Sequence, residues 1–296
     1  MRVTDMTSTI LSAIWQAENT EQTAVEQLST GKRVNQPSDD PAAAAQDVLN
    51  LSQQAQVAQY TQTTSSLNGL FQTADSAMGS IITALNQAVS LGTEASSGTL
   101  SASDQQAVAA NIQGVLNQVV QLANTSYEGS YIFGGTDVSS APFSTGASGV
   151  SYNGNDGINQ ALIAEGLTIQ TNVPGSQLFM QPGSDVIGSL EQLATAGENG
   201  DTTAASNATA AVSGALSYLN SQRVFYGNAS SQVDNEQTDL SQETTNLQSQ
   251  ENTLVGADMA QAATEVTQAQ TDTQAVMEAA ARVLPMSLLN YLAPGT

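Results

Sequence analysis

The chain has neither cysteine nor histidine. Without thiols there is no disulfide and no thiolate metal site. Without imidazole, the commonest general base and every histidine triad are excluded. Aromatic residues make up only 4% of the chain, while alanine, glutamine, serine and threonine abound. Alanine-rich helices bury little area per residue and pack closely, which suits long thin bundles. Positive charge is scarce too: five basic residues stand against 27 acidic ones, a formal charge of −22. Nucleic acids and anionic membranes attract cations, so neither is an expected partner. No apolar run approaches the ~18 residues that span a bilayer. The opening "MRVTDMTSTILSAIW" is interrupted by Thr, Asp and Ser and lacks the apolar core of a secretory signal. If the protein leaves the cell, the expected route reads no such signal.

Five long segments carry helical periodicity. The first covers about 4–29, with the stripe Ile10, Ile14, Ala17, Glu21, Ala24 and Leu28. The second begins near Pro41 and contains Leu67, Phe71, Ala74, Met78, Ile81, Leu85 and Ala88. The third holds Val108, Ile112, Val115, Val119 and Leu122. The fourth, about 202–254, repeats Val233, Leu240, Leu247 and Leu254 every seventh residue. The fifth runs Val255, Met259, Ala262, Val266, Ala269, Thr273, Val276, Ala280 and Val283 in alternating steps of four and three. Such repeats favour coiled-coil packing, here with mostly small knobs. Between Gly134 and about Pro182 the helical period vanishes and glycine is dense. Asn153-Gly154 offers a hairpin turn and "LTIQTNV" reads as a strand. The expected fold is mainly α: a long helical rod or coiled-coil bundle built from both chain ends, with a small inserted β-rich domain.

Between the first two helices lies "LSTGKRVNQPSDDPAAAA", residues 28–45. Gly31 suits a left-handed helix end, Asp39 or Asp40 a cap, and Pro41 a first helical position. Lys32 is the only lysine, and after Arg33 no basic residue occurs until Arg223. Lys32 and Arg33 would lie at the negative end of the first helix dipole. "TGKR" is not a phosphate loop, because Arg33 and Glu26 stand where that motif needs Ser/Thr and Gly. "NGNDG" is a poor calcium loop, because Ala164 stands where the bidentate glutamate belongs. No catalytic, cofactor-binding or metal-binding residue is assigned, and the chain is not expected to be an enzyme.

"LSTGKRVNQPSDDPAAAA" resembles the N-terminal signature of the flagellin superfamily. "NTSYEGSYIFGGT" (124–136), "SYNGNDG", "TNVPGSQLF" and the C-terminal "SLLNYL" (287–292) are similar to its hook–filament junction branch. The resemblance covers essentially the whole chain and implies three parts. Residues 1–33 with 255–296 would form terminal coiled-coil helices in an inner tube. Residues 34–135 with 183–254 would form a helical rod, and 136–182 an outward β-rich domain. It implies a structural subunit of the extracellular flagellum, exported without a cleaved signal, with no cofactor. The implied partners are copies of itself in a ring, hook-associated protein 1 on the hook side, flagellin on the filament side and an export chaperone. A filament-forming flagellin with a short outer domain is the alternative. The residues expected to carry assembly are Ile10, Ile14, Leu28, Lys32, Arg33, Val255, Met259, Val266, Val276, Leu288 and Leu289. Lys32 and Arg33 are expected to meet acidic groups on a neighbouring copy.

Overall fold

The computed structural model describes residues 3–147 and 149–292, with side chains described for 8–147 and 149–282. Seven helices and six short strands follow in the order α1 (Val3–Thr30), α2 (Pro41–Ala95), α3 (Ala102–Ala123), β1 (Ser126–Tyr127), β2 (Ser130–Tyr131), β3 (Phe143–Gly146), β4 (Gly149–Tyr152), β5 (Gln160–Ala164), β6 (Leu167–Gln170), α4 (Gly175–Phe179), α5 (Val186–Asn199), α6 (Thr202–Val255) and α7 (Met259–Leu292). The chain divides into two compact units, 1–56 with 243–296 and 57–242.

The second unit contains the main core. The expected stripe of α2 is buried from Leu67 through Ala88. Val108, Ile112, Val115 and Val119 of α3 and Val233 of α6 join the same cluster. Helix α5 was not among the expected helical segments. Asp185 caps it by accepting from the Gly188 amide at 2.8 Å, and Gly200 closes it in the left-handed region. Its stripe of Val186, Ile187, Leu190, Leu193 and Ala194 is buried. That stripe was legible, but the helix is short and follows a glycine-rich stretch.

The β-rich segment consists of three antiparallel hairpins, β1–β2, β3–β4 and β5–β6. The β3–β4 turn lies between Gly146 and Gly149, not at the expected Asn153-Gly154. Asn153 instead follows β4, where its amide donates to the Pro142 carbonyl at 2.7 Å. β6 covers only "LTIQ" of the expected "LTIQTNV", ending at Gln170, pairs with β5 and is offset by an irregularity between Leu162 and Ala164. These hairpins share the helices' core. Phe133, Phe143, Ile163, Ile169, Val173 and Phe179 are buried in one cluster with Phe71 and Tyr226. The Phe133 and Phe179 rings meet edge-on at 5.2 Å, and Phe133 and Tyr226 at 6.4 Å. The Tyr226 hydroxyl accepts from the Val173 amide at 3.3 Å, and burial pushes its pKa well up.

A polar knot holds the loops between the hairpins. Buried Asn172 donates to the carbonyls of Gly135 (3.1 Å) and Gly157 (3.0 Å) and accepts from the Asn159 amide (2.7 Å). Asn172→Ala strips all three partners at once. An abandoned buried polar group costs ~1–3 kcal/mol. The expected result is destabilisation of the 57–242 unit by at least that range, read by thermal melting.

Candidate assembly interface

The first unit is built around the corner between α1 and α2. Helix α1 ends at Gly31, whose φ of 72° suits glycine and whose amide donates to the Gln27 carbonyl at 2.8 Å. Asp40 caps α2 by accepting from the Ala43 amide at 3.0 Å, and Asp39 folds the turn by accepting from Asn35 and Gln36. The corner is stitched to the end of α6. Arg33 donates its amide to the Val255 carbonyl at 2.6 Å, and Ala257 donates to the Gly31 carbonyl at 2.9 Å. Val34, Ala43 and Val255 make a small buried cluster there. Val255 therefore belongs to α6. The expected fifth helix is interrupted at 256–258, where Asp258 caps α7 by accepting from Ala260 and Gln261.

Both scarce cations have partners inside the chain. Lys32 Nζ meets Glu251 Oε1 at 2.7 Å, and Gln54 donates to the other Glu251 oxygen at 2.9 Å. The Arg33 guanidinium meets Asp40 at 3.2 Å and donates to the Leu254 carbonyl at 3.0 Å. It thus supplies positive charge at the carbonyl end of α6. The hydrogen bond to Glu251 raises the Lys32 pKa, and the same bond holds Glu251 below the usual carboxylate range. The Ala43 amide first, then Arg33, lowers Asp40.

These shifts set a pH window. A depressed Glu251 contributes stability above its unfolded pKa of ~4.3, lost as pH falls through the folded value. A raised Lys32 contributes stability below ~10.4, lost as pH rises through its folded value. The Lys32–Glu251 bond should therefore act fully between roughly pH 5 and 10. Lys32 is 40% exposed, so Lys32→Gln should cost under ~1 kcal/mol at pH 7. Melts of native and variant chains should converge as pH falls below about 4.

Helices α1 and α7 pair antiparallel, with Gly31 beside Ala257 and Gln270 donating to Glu21 at 3.0 Å. The seam is shallow. Ala24, Ala262 and Ala269 are buried, while Ile10, Ile14, Leu28, Val266 and Val276 are only partly covered. Met259 is 48% exposed. Leu288 and Leu289 fall within α7, but their side chains lie outside the described residues.

The two flanks of this pair differ. Leu11 and Val25 fall to one side of the α1 stripe, with Trp15 farther round on the outer face beside Ser12, Gln16 and Asn19, and Met259 and Met277 fall to one side of the α7 stripe. Because the helices are antiparallel, these are the same side of the pair. All five are exposed, Trp15 by 64%. The opposite groove, about 400 Å³, is lined by Gln16, Thr20, Glu265, Gln268 and Asp272, with Ala13 and Ala17. Val48 and Leu49 at the start of α2 are also two-thirds exposed. The apolar flank was missed in the sequence, because only helix pairing shows that residues 11–25 and 259–277 face the same way.

No group of three or more acidic, histidine or cysteine side chains that could hold a metal occurs among the described residues, and no helix among them could cross a membrane. The sequence matches two family models: the bacterial flagellin N-terminal helical region over residues 4–138 and the C-terminal helical region over 209–292. It is 43% identical over 120 residues to flagellar hook-associated protein 3 of Escherichia coli, covering 40% of this chain and 38% of that protein. It is 36% identical over 155 residues to flagellar hook-associated protein 3 of Salmonella typhimurium, covering 52% of this chain and 48% of that protein. The matched region thus spans about half or less of those relatives. The fold is similar to that of FlgL from Bacillus cereus, with a TM-score of 0.60 at 23% identity, covering 69% of this chain and 99% of that one. Paired terminal helices, a turn that binds the two ends together, and family matches at both ends converge on one assignment: the chain belongs to the flagellin superfamily.

Proposed function

We propose that the chain is a structural subunit of the bacterial flagellum, placed at the hook–filament junction. A ring of copies would join hook-associated protein 1 on the hook side to the first flagellin subunits. The observation that carries this reading is the α1–α7 pair: a shallow alanine seam with one apolar flank left open to solvent. Exposed apolar surface of this kind marks an interaction site. Neighbouring copies would cover it, lining an inner tube with residues 1–33 and 255–296. Residues 34–135 with 183–254 would form the surrounding rod, and 136–182 would face outward. Lys32 and Arg33 hold the corner inside each copy and stay half exposed to acids of the next. The likeness to relatives named flagellar hook-associated protein 3 favours the junction over a filament subunit. Export would proceed through the flagellar channel, with a chaperone.

Electron microscopy of a strain lacking the gene tests this. Hooks without filaments, with flagellin lost to the medium, are the expected result. Normal filaments in that strain would overturn the junction role. Long filaments formed by the purified chain alone would instead make it a flagellin.

A further inference from the structure

The chain has no cysteine, so its only oxidisable sulfur is in seven methionines. Met78 is fully buried in the main core and Met180 is half-buried. Met259 and Met277 are 48% and 53% exposed on α7. They stand 18 residues apart, which at 3.6 residues per turn is five turns. They therefore share one azimuth, on the apolar flank with Leu11 and Val25. Met259 lies at the level where α1 ends, and Met277 at the level of Leu11. Two thioethers thus stand at both ends of one strip, open to solvent in the free chain.

We propose that Met259 and Met277 are a paired oxidation site: peroxide converts both to sulfoxides in the free subunit and so blocks its incorporation. The blocking half rests on the junction reading above. In the reaction a lone pair on Sδ attacks one oxygen of hydrogen peroxide. The S–O bond forms as the O–O bond breaks. The thioether loses two electrons to the peroxide, and the departing hydroxide takes up the proton of the transferred oxygen and leaves as water. The product is a polar, chiral side chain where a flexible apolar one stood. On the exposed flank it costs the free chain little, because water solvates the new S=O dipole. Covered by a neighbouring copy, the same dipole loses that water without a donor to replace it. Once the subunit is assembled, the neighbour that covers the strip also shields the sulfurs. The susceptible form is the newly delivered subunit.

The test has two arms on the purified chain. The first arm treats the free chain with hydrogen peroxide and follows each methionine by peptide mass spectrometry. Met259 and Met277 should gain oxygen well before Met78; equal rates at all three would overturn the site. The second arm measures binding of the chain to hooks isolated from a strain lacking its gene, with and without treatment. Treatment should reduce incorporation on the order of tenfold per buried sulfoxide. M259L/M277L, compared with its own untreated sample, should lose little on treatment. A native chain that incorporates undiminished when both sulfurs are oxidised would overturn the block. So would an equal loss in the double variant, which would place the sensitive group elsewhere. An untreated native chain that never binds hooks would overturn the junction reading and the block with it, while the first arm would still decide the oxidation site by itself.

Discussion

Phe133→Ala should destabilise the 57–242 unit by about 3–5 kcal/mol, the usual cost of emptying a buried aromatic site. Phe133 is fully buried between Phe179 and Tyr226, and its carbonyl accepts from the Gly175 amide at 2.8 Å. It is the hinge pin between the helices and the hairpins. For a unit of this size each kcal/mol shifts the melting temperature by roughly 2–4 °C, so a fall of about 6–20 °C is expected. A typical total stability of about 5–15 kcal/mol leaves little reserve. The same reasoning predicts that replacing residues 136–181 with a short Gly/Ser linker uncovers Phe71 and Tyr226 and loosens the helices. Near-ultraviolet circular dichroism would show it as loss of the aromatic signal. A hairpin segment folded apart from the helices would cost only the signal of the deleted Phe143, Tyr152 and Phe179 and leave the melting temperature unchanged.

Val266→Asp combined with Val276→Asp should have the largest effect on function and little on the free chain. Both residues sit on the α7 seam, and both are only partly covered by α1. In the free chain the new carboxylates turn toward water, so the melting of the 57–242 unit should not move. Between neighbouring copies they would be desolvated in a structure whose subunits already carry −22. Unpaired buried charge is among the costliest changes a protein can suffer. The expected result is a chain that is exported but absent from hook ends, with no filaments in microscopy. Normal filaments would show that the α7 seam is not what neighbours enclose.

How far the sequence alone reaches depends on how local the cause is. The stripes of α2, α3 and α6 were legible because each apolar residue repeats at helical spacing, and all are buried where expected except Leu122 and Leu254, which are only partly covered. The corner at residues 30–41 was legible because Gly31, Asp40 and Pro41 act through their own backbone. The partner of Lys32 was not, because Glu251 is 219 residues away and is brought close only by the meeting of the chain ends. The same limit hid the knot around Asn172, which joins Gly135, Gly157 and Asn159 across three loops. Asn153-Gly154 misled because turn chemistry says that a bend is favoured, not which bend becomes the hairpin. The break of the α7 stripe at 256–258 was hidden because Val255 fits the fifth stripe as well as it fits the end of α6.

The central claim is that the α1–α7 pair is an assembly element, marginal alone and completed by neighbouring copies. Its fully buried members among the described residues are alanines, which contribute few of the methylenes worth ~0.8 kcal/mol each. Fixing each residue's backbone costs roughly 1–2 kcal/mol. Hydrogen exchange on the free chain tests this most directly. The account predicts rapid exchange across residues 262–280 and strong protection across residues 205–233 of α6, with protection of 262–280 appearing only when neighbouring copies enclose it. Strong protection of 262–280 in the free chain would mean that the pair is already complete, and completion by neighbours would have to be abandoned.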